Sequence, residues 1–361
     1  MDRSKLLDAL ATSLSQTPAN EYTNMLCEQS YIFDAFFGDL KPREMTGKNV
    51  LFNAIIKGDS GDSDVDATSS GFGAYDGAYD EIPIGATEYM AQGEVNWTAY
   101  IGHWAISEME LVINGGKEGF IDVGKSKLEG ALTRLANIIE SQFWSKTGYA
   151  HVSDDAPWIL GPEHWITDDG YAINDAAGTN GTSVGGIDPT TSDYNDAQSR
   201  NRWRNQYKEI SAANEILDGL DDLAIDCSFK APPKVPVNTP PGKEKWRLVL
   251  NKNGFKTFQR LMRRLGEPLS ASDPRWNNVK VEWADRMATR SDSTNQGFLF
   301  NMKTWKARVA KGFKWRREAM FTPQNQPSVR AQYFKFWPAL WCEDRRSNGK
   351  IFGFGNELVE S

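Results

Sequence analysis

Metal binding and acid–base catalysis need His, Cys, Asp or Glu held at usable spacing. In this chain of 361 residues the three histidines, His103, His151 and His164, and the three cysteines, Cys27, Cys227 and Cys342, are dispersed. An odd cysteine count without close spacing points to neither a disulfide framework nor a zinc site, and fits a chain made in a reducing cytoplasm or in something assembled there. Asp59, Asp62, Asp64 and Asp66 are spaced like calcium-loop ligands. However, Ala67 stands where such a loop needs Gly, and no Glu follows at the twelfth position, so a solvated loop is expected. Residues 181–185, GTSVG, match the G-x-S-x-G pattern of serine hydrolases, which requires a strand before and a helix after. Its flanks, AAGTN and GIDPTT, are turn material. Asp154 and Asp155 are adjacent in a loop and read as solvated. No catalytic, cofactor-binding or metal-binding residue is therefore assigned, and no cofactor is expected.

The elements that would position any site are clearer than the site. From Lys117 to Ser145 the sequence predicts one helix of about 29 residues, about 40 Å long at 1.5 Å per residue. Its stripe is Ile121, Gly124, Leu128, Ala131, Leu132, Leu135, Ile138, Ile139 and Phe143, at three- and four-residue steps. Gly115 and Gly116 release the chain before it, and Gly148 suits a left-handed stop. Upstream, residues 1–47 read as an arm across another surface, with an aromatic run Tyr31–Phe37. Lys48–Gly58 reads as a strand, the polar stretch 59–71 as a loop, and Glu88–Ile113 as a long extended stretch. Val95, Trp97, Ala99 and Ile101 alternate there with polar or small residues. These strands make an extended hairpin too poor in apolar surface to stand alone. Downstream, 206–226 and 252–265 are amphipathic helices around the proline-rich linker 230–242. Strands are expected at 246–250, 279–283, 297–302 and 305–309. Ser328–Cys342 reads as one long aromatic strand with Pro338 as a bulge or edge, and 349–355 as a last strand. No signal peptide or membrane span is read.

Charge is uneven: net −12 over residues 1–120, −10 over 121–229 and +15 over 230–361, within a total of −7. A basic final third could face nucleic acid or the acidic first third of a neighbouring copy. Thirteen Trp and 18 Phe are many, and Trp97, Trp104, Trp203 and Trp305 sit among polar neighbours, where rings serve interfaces, cores or sugar platforms.

The order of elements (arm, hairpin, long helix, α+β insertion, final long strand) resembles the major capsid proteins of tailed bacteriophages. The resemblance rests on ISEMELVINGGKEGFID leading into the helix, GALTRLANIIESQFW within it, VGGIDPTTSDYNDAQSRNRWRNQ, WRLVLNKNGFKTFQRLM, GFLFNMKTWKARV, and SVRAQYFKFWPALWCEDRRSNGKIFGFG. It spans nearly the whole chain. It implies an α+β fold with an N-terminal arm over 1–47 and an extended hairpin loop over 48–100. A peripheral domain would span 101–205 with a spine helix at 117–145, and an axial domain 206–324. A peripheral return strand would take 325–345, and a C-terminal strand at 346–361 would rejoin the axial domain. The implied function is self-assembly, as pentamers and hexamers, into an icosahedral head shell enclosing packaged double-stranded DNA. The implied protein is not an enzyme, has no membrane partner, and resides in a virion assembled in the host cytoplasm. Scaffolding, portal and decoration proteins would be further partners. The chain starts almost at the arm, so scaffolding would come from a separate protein or a propeptide would be absent from this form. Hinge and interface candidates are Gly115, Gly116, Lys57, Trp97, Trp203 and Arg204. Lys57 lies in the hairpin strands, with Lys48 at their start, and no acid and Asn partner for cross-linking is read. The rival reading is a cytoplasmic carbohydrate-binding protein or hydrolase, from the many Trp and Tyr beside acidic residues. A basic nucleic-acid-binding protein is the third.

Overall fold

The computed structural model describes residues 30–38, 43–55, 90–107, 109–110, 117–144, 158–170, 183–189, 203–228, 246–265, 274–277, 279–287 and 294–356. In chain order, a π-helical turn (Phe33–Gly38) precedes β1 (Arg43–Met45), β2 (Asn49–Ile55), β3 (Met90–Asn96) and β4 (Tyr100–Ser107). Helices α1 (Lys117–Trp144) and α2 (Pro162–Trp165) follow, then β5 (Gln206–Glu209) and α3 (Ile216–Ser228). Next come β6 (Trp246–Asn251), α4 (Lys252–Arg264), β7 (Arg275–Trp276), β8 (Val279–Ala284) and β9 (Asn295–Asn301). The chain continues through β10 (Trp305–Ala310), β11 (Arg316–Arg317), β12 (Val329–Phe336), β13 (Pro338–Cys342) and β14 (Gly349–Phe354).

The long helix predicted from 117 to 145 spans Lys117–Trp144. Leu128, Leu132, Leu135, Ala136, Ile139 and Phe143 are buried along it. Ile138, expected in the stripe, is 44% exposed; at 100° per residue it cannot share a face with both Leu135 and Ile139. The helix lies on β4, which pairs antiparallel with β12 from Ser107↔Val329 to Tyr100↔Phe336. Tyr100, Trp104, Ile106, Phe334 and Phe336 face inward. Tyr100 Oη donates to Gln142 of α1 at 2.9 Å and accepts from the Ile159 amide at 3.0 Å, so one hydroxyl ties strand, helix and the segment beyond it.

A six-stranded sheet, β5-β14-β9-β6-β8-β7, forms the second layer. Successive side chains point to opposite faces. Leu248, Leu250, Leu299 and Ile351 meet α3 and α4 in one core, while Val249, Phe298 and Phe300 join the core around α1. Helix α4 starts at an Asn251 cap, whose Oδ1 accepts from the Gly254 amide at 3.0 Å.

Several expectations change. The extended stretch at Val95–Ile101 is two strands, broken at Trp97–Ala99, because β3 pairs with β2 whereas β4 pairs with β12. The inward phase flips across the break: Val95 is buried and Ile101 is 56% exposed. Likewise Ser328–Cys342 is β12 and β13 in different sheets, divided at Trp337, with β13 pairing to β10. Residues 305–317, read with the 206–324 module, pair instead with β1, β13 and β12, and Trp305, Ala307 and Val309 belong to the α1 core. The aromatic run of the arm is also interior to this subunit: Ile32, Ala35 and Phe36 have no exposed surface. The base of the hairpin, β2 with β3, lies on its own subunit, since Val50, Phe52 and Ala54 are buried and Phe52 meets Trp165, Trp203 and Trp341. Residues 1–29 and the hairpin's 56–89 lie outside the described residues.

Candidate functional site

Of the hinge and interface candidates, Gly115, Gly116 and Lys57 lie outside the described residues. Trp97 follows β3, and its Nε1 donates to the Gly47 carbonyl at 3.1 Å. The next amide, Thr98, donates to the Pro338 carbonyl at 3.1 Å, so the β3–β4 break is stitched to the head of β13. Trp203 is not a surface residue. It has no exposed area, its Nε1 donates to the Val184 carbonyl at 3.2 Å, and Phe52 stacks on it with centroids 6.3 Å apart. Its polar sequence neighbours suggested an interface, but its own subunit supplies the cover. Trp104 and Trp305 are buried too, at 3% and 0%. Three of the four rings that could have formed a sugar platform are thus interior. Arg204 is half-buried and its Nε donates to the Pro189 carbonyl at 3.3 Å, bracing the loop that carries Val184.

The described part of the G-x-S-x-G match, Ser183–Gly185, leads into a tight turn. Val184 bridges Ile187 across Gly185 (φ 61°) and Gly186 (φ 76°), and no helix follows through Pro189; the stretch before Ser183 lies outside the described residues. Both glycines adopt the left-handed region that side chains disfavour. No group of three His, Cys, Asp or Glu able to hold a metal occurs among the described residues.

Beside Trp203 lies a polar junction that sequence reasoning missed. Arg345, with no exposed area, donates to four acceptors: the Trp165 carbonyl at 2.7 Å, Trp203 at 2.9 Å, Gly170 at 3.4 Å and Asn205 Oδ1 at 3.1 Å. Its guanidinium also sits 5.8 Å from the Trp203 ring centroid. Lys350, on β14, reaches Glu163 of α2 and Asp168, each at 2.6 Å. Between them Asn348 accepts from the Asn301 amide at 2.8 Å and Trp305 Nε1 at 3.0 Å, and donates to the Asp344 carbonyl at 2.8 Å. Burial raises the Asp344 carboxyl pKa, partly offset by Ser347 and Arg346. Burial pushes the Cys342 thiol up to about 12, with Asp344 adding to it, so Cys342 is a poor nucleophile. The geometry of this cluster fastens β14 to the α1 core. The sequence signal was the polar run RRSNGK between two aromatic strands, WPALWC and IFGFG.

Outward-facing features are of another kind. An open groove of about 450 Å³ on α1 is lined by Gly130, Arg134, Asn137, Ile138 and Ser141, with Arg286 across it. The outer face of β4 and β12 shows Ile101 and Tyr333, 56% and 40% exposed. These are open surfaces rather than enclosed pockets. No helix among the described residues is long and apolar enough to cross a membrane.

No family model and no curated protein matches this sequence. Solved structures do match in shape. The capsid asymmetric unit of cyanophage A-1(L) aligns with a TM-score of 0.54 at 9% identity, over 87% of this chain and 91% of that one. The capsid of the native GTA particle aligns with a TM-score of 0.54 at 12% identity, covering 89% and 90%. The capsid of the empty GTA particle gives 0.53 at 10%, covering 88% and 96%. The likeness therefore extends across nearly all of both chains. The chain has the α+β major capsid fold of tailed bacteriophages.

Proposed function

We propose that this protein is the structural subunit of an icosahedral phage head, assembling as pentamers and hexamers around packaged double-stranded DNA. The reading is carried by one observation: subunits of particle shells match the fold over about nine-tenths of both chains. Its work is assembly rather than turnover. Copies would meet through head-to-tail contacts that close into rings when the rotation closes. Each contact can be weak, because their number makes the finished shell hard to take apart. In this reading the module of β5–β9, β14, α3 and α4 is the axial domain, and the α1 core with β4, β12 and β13 the peripheral domain. The polar junction would hold the two at a set angle. Gly115 and Gly116 are the proposed hinge by which one chain adopts five- and six-fold surroundings. Scaffolding, portal and decoration proteins are further proposed partners, with the virion as its location.

Sedimentation velocity on the purified protein, with negative-stain micrographs of the fast fraction, tests the reading. Megadalton closed particles are expected. A monomer or small oligomer under all conditions, including with a crowding agent, would overturn it.

A further inference from the structure

The two helices on the outer side of the six-stranded sheet carry opposite charge, each nearly pure. On α3 and the turn before it, Glu215, Asp218, Asp222 and Asp226 are exposed at steps of three and four, and the helix has no basic residue. On α4, Lys252, Lys256, Arg260 and Arg264 are exposed at steps of four, with Arg263 beside them and no acidic residue. The two stripes have similar length, about 16 Å and about 18 Å at 1.5 Å per residue. Helix α3 packs over the β5–β14 end of the sheet and α4 over β6, β8 and β9.

A solvated helix face normally mixes signs, because like charges four residues apart repel. Here Asp218, Asp222 and Asp226 form one such series, and Lys252, Lys256, Arg260 and Arg264 another. The helix dipole accounts for Asp218 in the first turn of α3 and for Arg263 and Arg264 in the last turn of α4, but not for the whole of either stripe. It favours acids at the start and bases at the end, whereas Asp226 lies in the last turn of α3 and Lys252 opens α4. Within the subunit, some of this repulsion is relieved. Lys208 meets Asp222 at 2.6 Å and Lys252 meets Asp285 at 3.5 Å, both at exposed sites, and Asn277 donates to Asp221 at 2.9 Å. Each stripe also carries one exposed aliphatic side chain, Ile225 at 50% and Leu265 at 57%. Local choices that work against each helix singly make sense when the stabilising partner lies outside the subunit.

We infer that the acidic stripe of α3 docks on the basic stripe of α4 in a second copy of this chain, as the repeating head-to-tail contact of a closed ring. The inference rests on the shell reading and adds which surfaces meet and what selects them. Opposite stripes steer encounter and fix register, and like stripes forbid the head-to-head alternative.

Charge reversal tests it in the full chain. Reversing all four acids, Glu215→Lys, Asp218→Lys, Asp222→Lys and Asp226→Lys, makes both stripes basic, and reversing four bases, Lys252→Glu, Lys256→Glu, Arg260→Glu and Arg264→Glu, makes both acidic. Each variant alone should retain the wild-type circular dichroism spectrum and assemble about tenfold more slowly or worse. An equimolar mixture should recover assembly, because each copy then alternates with its complement. Strict alternation closes a ring of six and frustrates a ring of five, so recovered rings should be six-fold by micrograph class averages. The milder pair Lys256→Gln with Arg260→Gln serves should a reversal unfold the chain, and should slow assembly and reduce its salt dependence. Wild-type shells whose formation neither reversal nor neutralisation alters overturn this inference alone. So do two variants that both fail singly, stay folded and fail to rescue each other. A wild-type chain that never forms rings or shells overturns the shell reading with it.

Discussion

Around Phe36 the subunit is held by rings. Its centroid lies 5.1 Å from Phe143, 5.3 Å from Trp305 and 5.6 Å from Phe300, all edge-on, so four elements distant in sequence share one dry aromatic cluster. Around Lys350 and Arg345 the same subunit is held by charge and directed hydrogen bonds, equally far from water. The aromatic cluster is tolerant: dispersion and area burial are non-directional, and neighbouring rings can shift to fill small losses. The polar junction is not, since each buried donor or acceptor that loses its partner keeps the full desolvation penalty. One region supplies bulk stability; the other supplies a defined geometry between the two layers.

The largest effect should therefore come from the junction. Lys350→Met leaves Glu163 buried without its cation, and is expected to destabilise by about 3–5 kcal/mol. The doubly apolar Lys350→Met with Glu163→Leu should recover part of that, since Glu163 is then no longer a buried unpaired charge, while Asp168, 23% exposed, still loses its cation. Urea unfolding midpoints of the two singles and the double give the coupling. A double variant no better than the singles would show that the pair acts by shape rather than charge. In the aromatic cluster the matching change, Phe36→Leu, should cost only about 1–1.5 kcal/mol, with a similar unfolding slope. Were the two losses equal, the contrast between directional and non-directional cohesion would fail.

The same contrast explains what could be read before the fold was known. Helix α1 was legible nearly to the residue because its burial repeats at the helical period, and β6 was legible as a short continuous apolar run, Trp246–Leu250. Residues 344–350 have no period. Arg345, Asn348 and Lys350 are of types usually exposed, and nothing in one sequence tells a buried lysine from a solvated one. Tyr31–Phe37 misled for the opposite reason: an aromatic run too short for a domain looked like an arm, but its own subunit holds the complementary hole. Trp337 and Pro338 carried a break signal, yet only pairing partners reveal that β12 and β13 belong to different sheets. Surface charge was visible as a +15 third, although its concentration on α4 opposite α3 needed the packing.

A smaller effect separates the regions by pH. Burial raises the folded-state pKa of Asp344, so the folded chain holds that proton more tightly than the unfolded chain. The associated stability is complete below the ordinary value of 3.8 and is lost as pH rises through the raised one. Asp344→Asn keeps most hydrogen bonds without the charge. It should raise the urea midpoint at pH 7 and leave it unchanged near pH 3. A lowered midpoint at pH 7 would mean that the carboxylate's attraction to Arg346 outweighs its desolvation.

The smallest effect lies at the exposed end of α1 and should have the opposite sign. Lys127 meets Glu110 and donates to the Ala105 carbonyl at 3.2 Å, clipping the helix to the end of β4. The hydrogen bond from Lys127, helped by the Ser107 amide, lowers the Glu110 pKa below its ordinary 4.5. That stabilisation is present above 4.5 and is lost as pH falls through the lowered value. The side chains are 31% and 39% exposed, so water and salt screen the pair, and Glu110→Gln should cost no more than about 0.2–1 kcal/mol at pH 7. The loss should shrink with added salt and fade once pH drops below the lowered value, in the acid range where the Asp344→Asn gain also vanishes. Measured on one background, the two substitutions therefore move the pH 7 midpoint in opposite directions and converge in acid. Parallel shifts would mean that the burial of Asp344 and the pairing of Glu110 do not decide the sign.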